Sequence, residues 1–575
     1  MEYAALVALF DDLAATASTN DKRDRLAAAF ADVADDDALL ARLLTLVRGR
    51  LGPAYDRPEL GVSSALTLSS ILTATGAAEP AIRDRWQETG DLGDAAAWAA
   101  EHGGQQTLFS DSLTVERVHE TLCELATYSG AGSQGRKVDA LAGLVADASA
   151  NEARYVVRLA LGHLRLGVGE GTIRDAIAVA FLDGSEQAIR AIERAYQLTN
   201  DFGLVARAAR EEGLEGLAAL DIEPFRPIGS MLAEKAETLE AGLEDAADDA
   251  GRVRAEYKYD GIRVQVHVAD GQIRLFTRRL EEITLQFPDV VRAVQRGVTT
   301  APVVLDGELV GYETTTERGD PQPVAFQQLS QRVKRERDVE AMAREVPVVF
   351  HPFDCLAEAE PLVDRPLDER LERLEASLDP VGAAPEEGLA GIEPARAREL
   401  PSDEPAAAES LYREALEAGH EGLMLKNPAA SYRPGRRVGQ LLKLKPTMEP
   451  LDLVVSRAQY SEGRRSELLG RLYLACYDPD GDRLREVGRL STGYTDAELV
   501  ALTSRLEDLI TERSGRKVQL EPTVVLEVEF EEIQRSSSYN SGYALRFPRF
   551  LGVREDLGPS DADTIDRVTA LFDEQ

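Results

Sequence analysis

The hydrophobic period of this chain changes twice, and each change falls at a pair of prolines. Up to about residue 220 apolar residues recur at helical spacing, as in Leu39, Leu40, Leu43, Leu44 and Val47, and β-rich runs are missing. Glu223-Pro-Phe-Arg-Pro-Ile-Gly-Ser-Met-Leu-Ala233 breaks that pattern, because proline fixes φ and removes a backbone donor. From Val253 short alternating runs mix with helical ones until Pro446 and Pro450 mark a second break. The remainder alternates strands with turns such as Asp478-Pro-Asp-Gly481, with one helix predicted over about Asp496–Arg513. The pattern predicts a multidomain protein: an all-α domain over 1–220, an α+β domain over 221–446 and a small Greek-key β-barrel over 447–575. At 575 residues and 44% hydrophobic, the chain is long enough for a core in each.

The middle segment carries Glu256-Tyr-Lys-Tyr-Asp-Gly-Ile-Arg263. Val253, Ala255 and Tyr257 alternate with Arg254, Glu256 and Lys258, and alternation resumes at Val264, Val266 and Val268. An Asp270-Gly271 turn then leads to a third strand, Ile273–Thr277. Lys258 and Asp260 therefore sit where the first strand ends, with Gly261 letting the backbone turn beside them. A lysine attacks only as the neutral amine, which nearby cations or desolvation favour, and Arg263, Arg278 and Arg279 are placed to supply such charge and to grip phosphates. From this stretch alone two readings stand: a nucleophile, or a surface lysine paired with Asp260.

Other charged residues interrupt strand patterns further on. Val303-Val-Leu-Asp-Gly-Glu-Leu-Val310 reads as a buried strand holding Asp306 and Glu308, and buried acids need cations or metal. Gly419–Lys426 reads as a strand with Glu421 and Lys426. In Leu441-Leu-Lys-Leu-Lys445 the alternation puts Lys443 and Lys445 on one face, which suits a polyphosphate. In the helical part, Gly130-Ala-Gly-Ser-Gln-Gly-Arg-Lys137 reads as a glycine-rich loop with two cations before a helix, and Leu164–Thr172 as a second such loop with Arg165. Either loop is also an ordinary helix cap. Residues 375–409, rich in Ala, Pro and Glu, read as part helix and part acidic surface insertion.

Net charge is −36 and the pI about 4.7, a balance that resembles salt-adapted proteins and argues against a polyanionic partner. The distribution of lysine argues the other way. The chain has nine lysines, and five of them, Lys137, Lys258, Lys426, Lys443 and Lys445, lie in the stretches just described. Cys123, Cys355 and Cys476 are too far apart for a zinc ribbon, and the six histidines lack metal-ligand spacing. No apolar run approaches a membrane span and no secretory leader is recognisable, so a cytoplasmic protein is expected.

The Lys-x-Asp-Gly-x-Arg stretch and the motifs after it resemble, in order and over nearly the whole chain, the ATP-dependent DNA ligases of archaeal type. The resemblance also rests on Thr277–Thr284, on Pro352-Phe353-Asp354 and on Leu545-Arg-Phe-Pro-Arg-Phe550. It implies a helical DNA-binding domain, an adenylation (nucleotidyltransferase) domain and a C-terminal OB-fold, sealing nicks through a lysyl-AMP intermediate in DNA replication, repair and recombination. It implies Lys258 as nucleophile for ATP. Glu256, Arg263, Arg278, Glu308, Phe353, Arg437, Lys443, Lys445, Arg546 and Arg549 would lie around the nucleotide, with Phe353 stacked on adenine. Glu308 and Glu421 would hold Mg2+. Ser133, Arg136, Lys137, Arg165 and Gly167 would contact the backbone of nicked duplex DNA. Gln105-Gln-Thr-Leu108-Phe109 resembles a short sliding-clamp-binding peptide on an otherwise monomeric enzyme. Two positions depart from the family pattern: Leu442 stands where many ligases have Trp, and Leu557 stands where lysine is frequent, removing one expected triphosphate contact. RNA ligases and capping guanylyltransferases share the lysine motif; the long helical domain and the Arg-Phe-Pro-Arg-Phe ending favour DNA ligase.

Overall fold

A computed structural model describes residues 1–104, 112–313, 322–335, 337–384, 388–446, 448–461, 465 and 467–574. The clamp-like residues Gln105, Leu108 and Phe109 lie outside the described residues. Contacts divide the chain into two units, one of 1–78 with 96–445, the other of 79–95 with 446–575. No described helix is long and apolar enough to cross a membrane.

The described residues up to 220 are organised as helices, from Tyr3–Ala15 to Phe202–Ala219, as the 3.6-residue period predicts. Side-chain caps start many of these helices; Ser149 and Glu152 form a reciprocal capping box ahead of Ala150–Ala160. The helix after Gly130 begins at Ser133, so Arg136 and Lys137 lie inside its first turns rather than ahead of it. Gly130 and Gly132 take positive φ, which the short loop requires.

Among the described residues ten strands follow in the first unit: β1 (Leu232–Lys235), β2 (Arg252–Lys258), β3 (Ile262–Ala269), β4 (Gln272–Thr277), β5 (Val303–Gly311), β6 (Val348–Ala357), β7 (Gly391–Ile392), β8 (Ala397–Pro401), β9 (Gly422–Lys426) and β10 (Arg437–Leu444). They make two five-stranded sheets, ordered β1-β10-β9-β2-β8 and β4-β3-β5-β6-β7. The chain passes from one sheet to the other across Tyr259–Gly261, so the end of β2 lies where the sheets meet. Gly261 is required there, because a Cβ would stand 2.3 Å from the Leu309 carbonyl oxygen.

One face of the first sheet is buried. Val253, Ala255, Tyr257, Leu423, Leu425, Leu442 and Leu444 form a core with residues of the helices Leu239–Ala246 and Pro405–Glu417. Leu442, in place of the family's Trp, is 3% exposed in that core. The second sheet has its own core, closed by helices such as Pro288–Gly297 and Leu367–Ala376. A smaller cluster joins Leu198 of the helical part to Ile228, Met231, Val304 and Tyr432.

The described residues of 375–409 are not simply a surface insertion: Ile392 is fully buried in β7, and β8 pairs with β2 from Arg252 to Glu256. The helix-like composition concealed a strand whose only alternation is Glu399, Leu400, Pro401.

In the second unit, β11 (Leu451–Gln459) is central, pairing with β12 (Arg471–Asp478), β15 (Lys517–Leu520) and β16 (Val525–Glu529). β13 (Arg483–Leu490), β14 (Ile510–Ser514) and β19 (Arg549–Val553) complete that sheet, and β17 (Glu532–Arg535) pairs with β18 (Tyr543–Arg546). The helix expected to reach Arg513 ends at Glu507. Gly515, at φ +60°, turns Ile510–Ser514 back onto β15 as a hairpin, and that pairing ends the helix.

His267, fully buried on β3, accepts a hydrogen bond from the Phe225 N–H at 2.9 Å and so ties the proline-bearing linker to the sheet. Burial lowers its pKa to about 3. Folding therefore keeps it neutral, and the stability this represents is present above its unfolded pKa of about 6.5 and lost as pH falls towards 3. His267→Gln retains an acceptor and removes the titration. Denaturant unfolding at high salt should show the variant losing about 2 kcal/mol less than wild type between pH 7 and pH 4.5.

Candidate active site

The face of the first sheet opposite its buried core carries the charges. In register across it, Glu256 pairs with Met424 and Lys258 with Gly422, while Met424 pairs in turn with Lys443. Gly422, at φ +133°, leaves no room for a side chain, since a Cβ would meet the Leu444 carbonyl oxygen at 2.3 Å. Lys258 is thus flanked by bare backbone on its own face.

Glu421, one residue ahead of β9, donates its backbone N–H to the Lys258 carbonyl at 2.9 Å. Its carboxylate touches Lys258 Nζ and lies 2.9 Å from Lys445 Nζ. Burial pushes the Glu421 carboxyl up, but the two lysines outweigh burial and hold it below the usual carboxylate range. Lys258 is part-buried and its ion pair is with Glu421.

A second pair lies along the same strands. Lys426 Nζ is 2.8 Å from Glu256, both nearly buried; burial pushes Glu256 up and Lys426 pulls against it. Phe353 is only part-buried and is not among the residues of either sheet's core. Lys426 Nζ stands 4.5 Å from its ring centroid and the Arg263 guanidinium 5.3 Å from it.

The second sheet contributes Arg263, Asp306 and Glu308. Arg263 grips fully buried Asp306 with two hydrogen bonds, of 2.7 and 3.1 Å, and donates to the Met231 carbonyl at 2.7 Å. Tyr432 donates its hydroxyl to Asp306 at 2.8 Å and accepts from the Met231 N–H at 3.0 Å. Glu308, in register with Arg263 on β3, is pushed up to about 8, burial outweighing the pull of Lys258 and Arg263. Arg278 is pushed down by partial burial and by Arg263 and Arg437, so these arginines share one neighbourhood.

The structure therefore brings together Glu256, Lys258, Arg263, Glu308, Phe353, Glu421, Lys426, Lys443 and Lys445, with Arg278 and Arg437 exposed at their margin. Arg546 and Arg549 belong to the other unit. There Arg546 pairs with Glu532 at 2.8 Å, and Phe547 between them is 62% exposed at positive φ. Among the described residues no group of three His, Cys, Asp or Glu is arranged to hold a metal. Two carboxylates with a strongly raised and a lowered pKa, beside lysines that suit phosphates, nevertheless fit Mg2+, which takes one or two carboxylates and completes its shell with phosphate oxygens and water.

In the helical part Arg136 is exposed over the Tyr128 ring, 5.0 Å from its centroid. Lys137 is 8% exposed and donates to the Leu60 carbonyl at 2.6 Å, so its ammonium is used inside the domain. Arg165 and Gly167 both take positive φ. Lys22, which no motif singled out, is 8% exposed and donates to the Leu166 carbonyl at 2.6 Å, fixing that loop. Tyr432 was likewise missed as a site residue, being brought to Asp306 only by the tertiary fold.

Breaking the Arg263–Asp306 pair leaves a buried charge unpaired. Arg263→Met should cost about 3–5 kcal/mol in denaturant unfolding, and adding Asp306→Asn should recover part of that loss because the buried group is then neutral.

Three family models match the chain: DNA ligase N terminus over residues 2–178, ATP dependent DNA ligase domain over 230–445 and ATP dependent DNA ligase C terminal region over 465–557. A DNA ligase of Haloarcula marismortui is 43% identical over 590 aligned positions, covering 100% of both chains. One of Thermococcus onnurineus is 40% identical, covering 94% of this chain and 92% of its own. Among solved structures, one designated Pmar-Lig_Pre. shares the fold at TM-score 0.56 and 17% identity, over 96% of this chain and 99% of that one.

Proposed function

The chain belongs to the ATP-dependent DNA ligases, and we propose that Lys258 is the residue through which it takes AMP from ATP to seal nicks in duplex DNA. The observation that carries this assignment is the setting of Lys258: a lysine at a strand end, held by Glu421 opposite Lys445, beside Glu308 and Arg263. The Nζ–phosphorus bond to the α-phosphate forms as the bond from that phosphorus to the bridging oxygen breaks. Pyrophosphate leaves with the electron pair, and the nitrogen loses its proton to solvent. Lys443 and Lys445 hold phosphate oxygens and are already in position, so little reorganisation opposes the transfer. Phe353 and the Glu256–Lys426 pair receive the adenine, and Arg263, Arg278 and Arg437 line the nucleotide. Mg2+ between Glu308 and Glu421 would neutralise charge on the phosphate oxygens. A 5′-phosphate oxygen at the nick then attacks the AMP phosphorus and releases Lys258. The 3′-hydroxyl finally attacks the 5′-phosphate and AMP leaves.

The remaining assignments extend the same reading. Residues 1–220, 221–446 and 447–575 act as DNA-binding, adenylation and OB-fold domains. Ser133, Arg136, Arg165 and Gly167, with Lys137 buttressing its helix from within, face the DNA backbone, and backbone contacts position without reading sequence. Arg546 and Arg549 orient the pyrophosphate. Gln105, Leu108 and Phe109 dock on a sliding clamp, the enzyme is a cytoplasmic monomer, and its work is replication, repair and recombination.

Incubation with α-labelled ATP tests the assignment. Lys258→Ala should take up no covalent label and fail on ordinary nicks, yet still seal a nick already bearing 5′-AMP. Label persisting on the variant would remove Lys258 from the mechanism.

The charge of −36 sets a second expectation. Salt weakens phosphate contacts, but it also screens repulsion among 101 acids set against 65 Lys and Arg. The Debye length falls from about 30 Å at 0.01 M to about 3 Å at 1 M, and with this excess of acid the relief of repulsion should dominate. Circular dichroism and sealing, followed across a potassium chloride series, should both reach their maximum at roughly molar salt. Full structure with best sealing at about 0.05 M would refute this.

A further inference from the structure

β1 is the edge strand of the sheet that carries Lys258, and it runs parallel to β10. In that pairing Lys235 is the partner of Lys443, and the Ala236 N–H bonds the Lys443 carbonyl at 3.0 Å. Partners in a β-ladder project to the same side of the sheet. Glu234, next to Lys235, is the partner of Leu442, which belongs to the buried core on the opposite side. One row thus crosses four strands on the charged face: Glu256, Met424, Lys443, Lys235. Lys235 is exposed at its outer end, one strand spacing, about 5 Å, beyond Lys443.

Two further observations bear on what Lys235 does there. The chain has only nine lysines against a much larger number of arginines, and five of the nine lie on this one sheet face or at its margin: Lys235, Lys258, Lys426, Lys443 and Lys445. A flexible ammonium on a four-carbon stem spans the distance from the edge strand to the space over Lys443, and it meets phosphate oxygens as a point charge. Position 557, where the family frequently supplies a lysine for the triphosphate, is Leu557, part-buried beside a small apolar cluster that includes Val454 and Val525.

We propose that Lys235 is a further phosphate-binding residue of the nucleotide site, gripping the β- and γ-phosphates of ATP and the pyrophosphate that leaves. The assignment rests on Lys258 being the adenylylated residue. It gives the departing pyrophosphate a cation from the adenylation domain's own sheet, continuous with Lys443.

The test separates the first chemical step from the later ones. Lys235→Met and Lys235→Arg are compared with wild type at high salt, with circular dichroism confirming that both are folded. Lys235→Met should raise the ATP concentration for half-maximal self-adenylylation about ten-fold, the loss expected for one charge-assisted contact, while the rate at saturating ATP changes much less. The pyrophosphate concentration that strips AMP from the labelled enzyme should rise by a similar factor, and sealing of a pre-adenylylated nick should match wild type. Lys235→Arg should recover most of the ATP dependence. An unchanged ATP and pyrophosphate dependence in Lys235→Met overturns the proposal. So does a loss confined to the sealing of pre-adenylylated nicks, which would make Lys235 a DNA contact. If wild type itself takes up no label, the assignment of Lys258 fails instead, which is a different result.

Discussion

Asp306 is wholly buried, and a buried carboxyl is a polar group that the fold must answer with partners. Removing a carboxylate from water is costly unless partners satisfy it. Arg263 and Tyr432 do so together, and both also bind Met231 at the entrance to β1. One acid thereby fixes an arginine from β3, a tyrosine from the loop before β10 and the chain entering the edge strand. These groups are separated by as many as 201 positions in sequence. The strands that carry Phe353 and Glu308 are tied by this network and by its counterpart, the buried Asp354–Arg370 pair.

The same economy governs the site itself. Each acid in it has a lysine or arginine for company, yet the balance differs from one acid to the next. Glu256 and Glu308 are dominated by burial, whereas Glu421 is dominated by two lysines. Carboxylates of one site are thus poised in opposite directions by environment alone. In a chain so acidic overall, retaining lysine on one sheet face creates a local positive field without altering the sign of the surface as a whole.

Much of this was legible in the sequence because strand alternation is a local property. The period of two from Val253 to Thr277 fixed three strands and the face on which Lys258 lies, and Leu441–Lys445 gave the orientation of both later lysines. Where composition outvoted period, the reading failed. Glu- and Ala-rich residues 375–409 look solvated, but Ile392 and Leu400 are enough to build them into two sheets. The helix read through to Arg513 ended early because the competing hairpin depends on a partner strand. Lys137 looked like a surface cation from its neighbours in sequence, and only the chain around Leu60 shows its ammonium turned inward. Tyr432 and Lys22 had no local signal at all, since their partners lie far off in sequence.

With Lys258 as the proposed site of adenylylation, the sharing of Glu421 between Lys258 and Lys445 has a consequence once AMP is attached. A phosphoramidate nitrogen is uncharged, so the reaction deletes one of the two cations that hold this carboxylate and sets a phosphate anion in its place. Glu421 is then left to Lys445 alone, in a site whose local charge has fallen by two. The enzyme before and after its first step is therefore not one receptor with and without a label. It presents two different electrostatic surfaces at the point where the nick must arrive, and the glutamate between the lysines registers which of them is on offer.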